Sequence, residues 1–389
     1  MTTCEQGATS ADSSGSDERK ARKVLATAQI AYRHRPGGHC GSGALRDLTE
    51  WAELGWGSEP PTEGLVFALG GTVDFSYVRC ARLRPQIYLV GRGGGLEQDY
   101  LTRVGAGVRV ASTDDADVGW EWVAAEIDAG RPVMVWADIA ELPYLRARLS
   151  MSRHDIVIVG YDDARQVVDV VDNDRETTQT VGYENLRRAR CSTGFPMPTR
   201  HTTYLIDWPR QVPELAVIAG PALAASAASM RGEAAGPALL RIDDADLEGV
   251  GLAGVGVFAD DVRCWPGSLD DDALAEALFG LGAFIEKAGT GGGLFRRLQA
   301  QGCRDIADLL DSDEVAGAAA AAQRAADLWS AVAARAMDTT RSLRDRCAAA
   351  ADLASGLPEA ERCLADALDH AARSLASPPP SEAMAKGAQ

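Results

Sequence analysis

Positive charge is scarce in this sequence: 39 Lys and Arg stand against 56 Asp and Glu in 389 residues, a formal net charge of −17. Such a surface repels nucleic-acid phosphates and anionic headgroups, so neither nucleic acid nor a membrane surface is an expected partner. The arginines gathered in the first half, among them Arg79, Arg82, Arg84, Arg92, Arg146 and Arg153, read as solvated loop residues. No run of about 18 apolar residues occurs, which excludes a spanning helix, and Met1 to Lys20 is polar throughout, unlike a secretory leader. The eight cysteines form no C-x-x-C pair and no regular framework, so they are expected as thiols in a reducing, cytoplasmic setting. Five histidines without paired spacing supply no zinc site. Gly289-Thr290-Gly291-Gly292-Gly293 lacks the Gly-Lys-Ser/Thr ending of a phosphate-binding loop and reads as a sharp turn between helices. Neither metal nor cofactor is therefore expected.

The chain has enough apolar residues for ordinary globular cores, at 46% hydrophobic and 24% charged. Its length predicts two domains. Residues 1–22 and 377–389 read as polar tails, and the texture changes near Pro209 to Pro213. Residues 23–210 are expected as a mixed α and β domain, with strands near Pro132 to Trp136, Ile156 to Val159, Val167 to Val171 and Tyr204 to Ile206. Residues 211–376 carry helical periodicity and are expected as a mainly helical domain, with Glu214 to Gly236 open between helix and loose connection.

One cysteine sits where a nucleophile would. In Gly37-Gly38-His39-Cys40-Gly41-Ser42-Gly43-Ala44-Leu45, Cys40 joins a glycine-rich turn to an apolar helix. A helix N-terminus favours a thiolate and offers N–H groups to an oxyanion. Gly41 is expected to leave room for a substrate backbone, and His39 either donates to an oxyanion or points away. A partner pair comes from two apolar strands around a polar turn. A turn at Asp163 sets Ile156 opposite Val170, Ile158 opposite Val168 and His154 opposite Asp172, bringing an imidazole and a carboxylate onto one sheet face. Beside Cys40, His154 would take the thiol proton and Asp172 would orient the ring. Glu63 is expected as a substrate-facing carboxyl or a buried anchor, and Tyr144 as a pocket wall.

The stretches His39 to Leu48, Glu63 to Gly71, Pro132 to Asp138, Leu142-Pro143-Tyr144 and His154 to Asp163 resemble the butirosin-biosynthesis protein H N-terminal domain family over roughly residues 34 to 207. Ile285 to Arg296 is similar to the helical domain of uncharacterised function that commonly follows it. The resemblance implies an α+β, papain-like cysteine-peptidase-like domain with a mainly antiparallel sheet and a nucleophile helix. It also implies transfer of an acyl group from the phosphopantetheine thioester of an acyl carrier protein to a small-molecule amine, with Cys40, His154 and Asp172 as the triad. Ala68 and Thr72-Val73-Asp74 depart from the family's glycine-rich pattern, which bears on substrate shape. Thioester hydrolysis or cyclisation, a peptidase or amidase of the same fold, a non-catalytic scaffold, and assembly as a homodimer remain open.

Overall fold

The computed structural model describes residues 27–147, 150–233 and 245–376; both expected tails lie outside the described residues. The chain is an α+β protein built on two antiparallel sheets. Its strands are β1 (Thr27–Gln29), β2 (Val73–Arg79), β3 (Ile87–Arg92), β4 (Gly107–Ala111), β5 (Val133–Ala137), β6 (His154–Asp162), β7 (Val167–Val171), β8 (Gln179–Gly182), β9 (Thr203–Asp207) and β10 (Leu247–Val250). The larger sheet runs β4-β9-β5-β6-β7-β8, with β1 on β6; the smaller runs β10-β2-β3. All four strands expected from β-branched runs are present at those places.

The helices are α1 (Cys40–Trp51), α2 (Glu63–Gly70), α3 (Leu96–Arg103), α4 (Ala116–Asp128), α5 (Tyr183–Arg190), α6 (Leu215–Arg231), α7 (Gly251–Ser268), α8 (Asp271–Glu286), α9 (Arg296–Leu310), α10 (Asp313–Met337), α11 (Leu343–Ala354) and α12 (Leu357–Ala376). The Ala-rich stretch left open in the sequence is α6, stopped by Gly232 in the left-handed conformation. Among the described residues no helix is long and apolar enough to cross a membrane.

Strand β6 explains how the site is held. It is buried from His154 to Tyr161, so both of its faces are covered, and from Ile156 to Val159 both are apolar. Val157 and Val159 join one core with Leu45, Leu48 and Tyr100, while Ile156 and Ile158 join another with Val123, Val133 and Val170. The register of β6 with β7 differs from the expected one. Ile158 lies opposite Val170, and beyond a bulge at Val159 the pairs are Gly160 with Asp169, Tyr161 with Val168 and Asp162 with Val167. The turn is centred past Asp163, and the first stretch is shifted by two residues. A shift of two preserves side-chain facing, which is why His154 and Asp172 still meet, now diagonally.

Packing is continuous across residue 210. Strand β10 pairs with β2, setting Leu247 opposite Arg79, and the apolar core that contains Leu45 and Phe67 also contains Leu278, Trp329 and Leu368.

Candidate active site

The turn before Cys40 is built by buried polar groups. Glu63, the first residue of α2, accepts the Gly38 N–H at 2.7 Å, the His39 N–H at 2.8 Å and the Ser42 hydroxyl at 2.9 Å. This carboxylate is an anchor for the turn. The His39 ring is buried, accepts the Ser42 N–H at its Nδ1 (3.1 Å) as the cap of α1, and packs edge-on against Phe295 at 5.4 Å. Burial first, then the charges of Arg92, Arg153 and His154, hold its pKa well below the usual range, so the ring is neutral. The glycine-rich 289–293 segment approaches here. Gly291 donates its N–H to the Gly38 carbonyl at 3.0 Å, and a Cβ on Gly38 would lie 2.6 Å from the Gly291 Cα. Gly38→Ala is expected to force the two backbones apart, lowering Tm by a few degrees for about 1–3 kcal/mol of overpacking and slowing Cys40 alkylation. Melting curves and iodoacetamide labelling check this together.

Cys40 opens α1 and is partly exposed. Ser42 and Gly43 spend their N–H groups on His39, leaving those of Cys40 and Gly41 without an acceptor among the described residues. Gly41 is small for a reason other than the expected one. A Cβ there would fall 2.4 Å from Glu97 Oε1 and 3.1 Å from Asp155 Oδ2, so the protein's own carboxyl groups occupy the space assigned to a substrate.

His154 Nε2 is 2.8 Å from Asp172 Oδ2, leaving Nδ1 as the ring nitrogen free for Cys40. Burial disfavours the imidazolium, but the charge and hydrogen bond of Asp172, and then of Cys40, outweigh it and raise the His154 pKa well above its ordinary value. Asp172 is buried, which would raise its pKa, yet His154, the Tyr144 hydroxyl and the Asp174 N–H lower it to about 2. The Tyr144 Oη donates to Asp172 Oδ2 at 2.7 Å, so Tyr144, expected as a pocket wall, positions the carboxylate.

The depressed Asp172 carboxyl contributes stability above its ordinary pKa of 3.8, which is lost as pH falls through about 2. The raised His154 contributes fully below 6.5 and loses its contribution as pH rises through its higher folded value. Both describe one pair and are not added. Tyr144→Phe removes one hydrogen bond to the carboxylate. It is expected to cost roughly 1 kcal/mol at neutral pH and to move acid unfolding to higher pH, read from melts between pH 7 and 3.

Behind Cys40 lies a buried charge cluster absent from the sequence reading. Glu97 meets Arg153 at 3.2 Å and Arg92 at 3.6 Å, and Asp155 Oδ2 is 3.7 Å from the Cys40 sulfur, which donates to it. Arg92 and Arg153, expected in solvent, are therefore interior; Arg153 also stacks over Trp136 at 5.0 Å. The available signal was an acid inside an otherwise apolar strand run. Beside the turn opens a cavity of about 350 Å³ lined in part by Gly38, Asp174, Lys287, Gly291 and Arg297. Among the described residues no cluster of His, Cys, Asp and Glu is arranged to hold a metal ion.

Fold and site together define an α+β protein with a cysteine, a histidine and an aspartate gathered at the end of an antiparallel sheet. Residues 39–173 match the family model described as butirosin biosynthesis protein H, N-terminal, and residues 184–368 match that of a domain of unknown function. The chain is similar to the butirosin biosynthesis protein H N-terminal family over its first part and to that second domain after it. No curated protein matches the chain. The similarity of residues 39–173 to that family points to a biosynthetic enzyme.

Proposed function

We propose that the protein is a cysteine acyltransferase of natural-product biosynthesis, which accepts an acyl group from the thioester of an acyl carrier protein and passes it to a small-molecule amine. The observation that carries this reading is the contact of His154 Nε2 with Asp172 at 2.8 Å, on a histidine whose pKa is also raised by Cys40. In the proposed cycle His154 takes the Cys40 proton and the sulfur attacks the thioester carbon. The oxyanion that forms lies within the reach of the free Cys40 and Gly41 N–H groups, and collapse breaks the carbon–sulfur bond to the carrier. The pantetheine sulfur leaves with the proton from His154. An amine then attacks the acyl-enzyme, gives its proton to His154, and releases Cys40.

Thiol–thioester exchange is nearly balanced, so positioning, deprotonation and exclusion of water suffice, with no cofactor beyond the carrier's own phosphopantetheine. The test compares one acyl group presented as a carrier-bound thioester and as a peptide amide. Acylation of the protein by the carrier alone is the expected result. Cleavage of free peptides with no acylation by carriers would overturn the reading in favour of a peptidase.

A further inference from the structure

We infer that the cavity beside the Cys40 turn is the acceptor site and that it takes a zwitterion, a small amine that also carries a carboxylate; its role as acceptor site rests on the acyltransferase reading. The cavity, of about 350 Å³, has no apolar side chain in its lining, so a hydrocarbon chain gains nothing there and a polar ligand does. It borders both halves of the site. Gly38 stands two residues before Cys40, and Asp174 two residues after Asp172.

Its charges fall into two kinds. Glu286 and Arg297 are spent on each other at 3.2 Å, and on Ser330 and the Gly293 N–H. Lys287 and Asp174 are not: among the described residues the Lys287 ammonium and the Asp174 carboxylate have no hydrogen bond or ion pair. The N–H groups of Gly289 and Thr290, on the same wall as Lys287, likewise have no acceptor among the described residues. One ammonium and two N–H groups make an anion end, and Asp174 makes a cation end.

Lys287 is the one lysine among the described residues, since Lys20, Lys23 and Lys386 lie outside them. Its compact charge suits a carboxylate already held by backbone donors, where a guanidinium fork would compete with them. A polycation would meet Lys287 and Arg297, and a polyanion Asp174 and Glu286, so a ligand with one charge of each sign fits best. The amine end then lies by Asp174, on the side of Asp172 and His154. The attacking amine is the fraction that has lost its ammonium proton to water. Its nitrogen bonds to the acyl carbon, the carbon–sulfur electron pair returns to Cys40, and the proton it sheds passes to His154 and on to the sulfur.

The test is ligand-detected NMR on the full chain with no acyl donor. The probes are glycine, β-alanine, γ-aminobutyrate and the common α-amino acids, set against their N-acetyl forms, their amides, spermidine and inorganic phosphate. Some amino acids are expected to bind, and their one-charged analogues at least about tenfold more weakly. Lys287 and Asp174 are exposed, so Lys287→Gln and Asp174→Asn should fold. Lys287→Gln is expected to bind an amino acid and its amide alike, and Asp174→Asn an amino acid and its N-acetyl form alike, changes that a loss of structure would not produce. Binding of no amino acid, equal binding of the one-charged analogues by the wild type, preference for spermidine or phosphate, or variants with wild-type selectivity would overturn the inference. An acyl-enzyme that a bound amino acid does not discharge to the amide overturns the acceptor role. Binding with this pattern but no acylation by carriers sinks the acyltransferase reading and leaves the site; acylation without amino-acid binding does the reverse.

Discussion

Cys40→Ala is expected to abolish acyl-enzyme formation while leaving the melting temperature close to that of the wild type. The residue is partly exposed at the first position of α1, and alanine loses only a sulfur there while keeping good helix propensity. A buried structural thiol would behave oppositely, with a change in stability and none in turnover. Asp172→Asn is expected to retain some acylation, slower by roughly a hundredfold, because a cysteine is already a competent nucleophile and the carboxylate chiefly fixes the ring. It should also lower the melting temperature. Asp172 accepts from His154, the Tyr144 hydroxyl and the Asp174 N–H, and one amide oxygen cannot serve all three. The same change removes part of what raises the His154 pKa. So does Cys40→Ala, and an NMR titration of His154 should show a lower midpoint in both variants. Single-turnover acylation set beside melting curves separates the chemical from the structural effects.

Arg296→Met is expected to be the most destabilising single change considered. The guanidinium is fully buried, pairs with Glu361 through Nε at 2.8 Å, and donates to the carbonyls of Gly91 at 2.7 Å and Asp74 at 2.9 Å. It thus ties α9 and α12 to the segments carrying β2 and β3. Removing it leaves Glu361 with Trp329 as its remaining donor and strips the carbonyls of theirs. Orphaning a buried charge costs about 3–5 kcal/mol, which for a protein of this size lowers Tm by about 5 °C. Pairing it with Glu361→Leu removes the stranded carboxylate and should recover part of the loss. Calorimetry of the two variants checks this, and a single variant that melts within a degree of the wild type would show that the pair is not a clasp. The neighbouring Phe295 packs on His39, so Cys40 labelling should slow in the same variant.

What was legible in the sequence follows from locality. Helices α8 to α12 repeat apolar residues at helical spacing, and the apolar runs of β5, β6 and β7 are short and β-branched, so both kinds of element announce themselves within one window. The pairing of His154 with Asp172 was legible because a hairpin is local and its face is set by parity; the bulge at Val159 had a trace only in Gly160 beside it, and a lone strand glycine does not fix the shift of two in register. Strand β10 is four residues long and pairs with a strand some 170 positions earlier, leaving no local trace. The roles of Glu63, Tyr144, Glu97 and Asp155 depend on which distant backbone or side chain each one meets. Their residue types alone leave substrate contact, anchor and solvated surface equally open.

The central claim is that the acyl group resides on Cys40. It is tested most directly by incubating the protein with acyl-loaded carrier, measuring intact mass, and locating the adduct by peptide mapping. The account predicts a mass gain equal to the acyl group on the peptide that contains Cys40, removable by hydroxylamine as a thioester is. An adduct on another side chain, or transfer to the amine by Cys40→Ala at the wild-type rate, would contradict it.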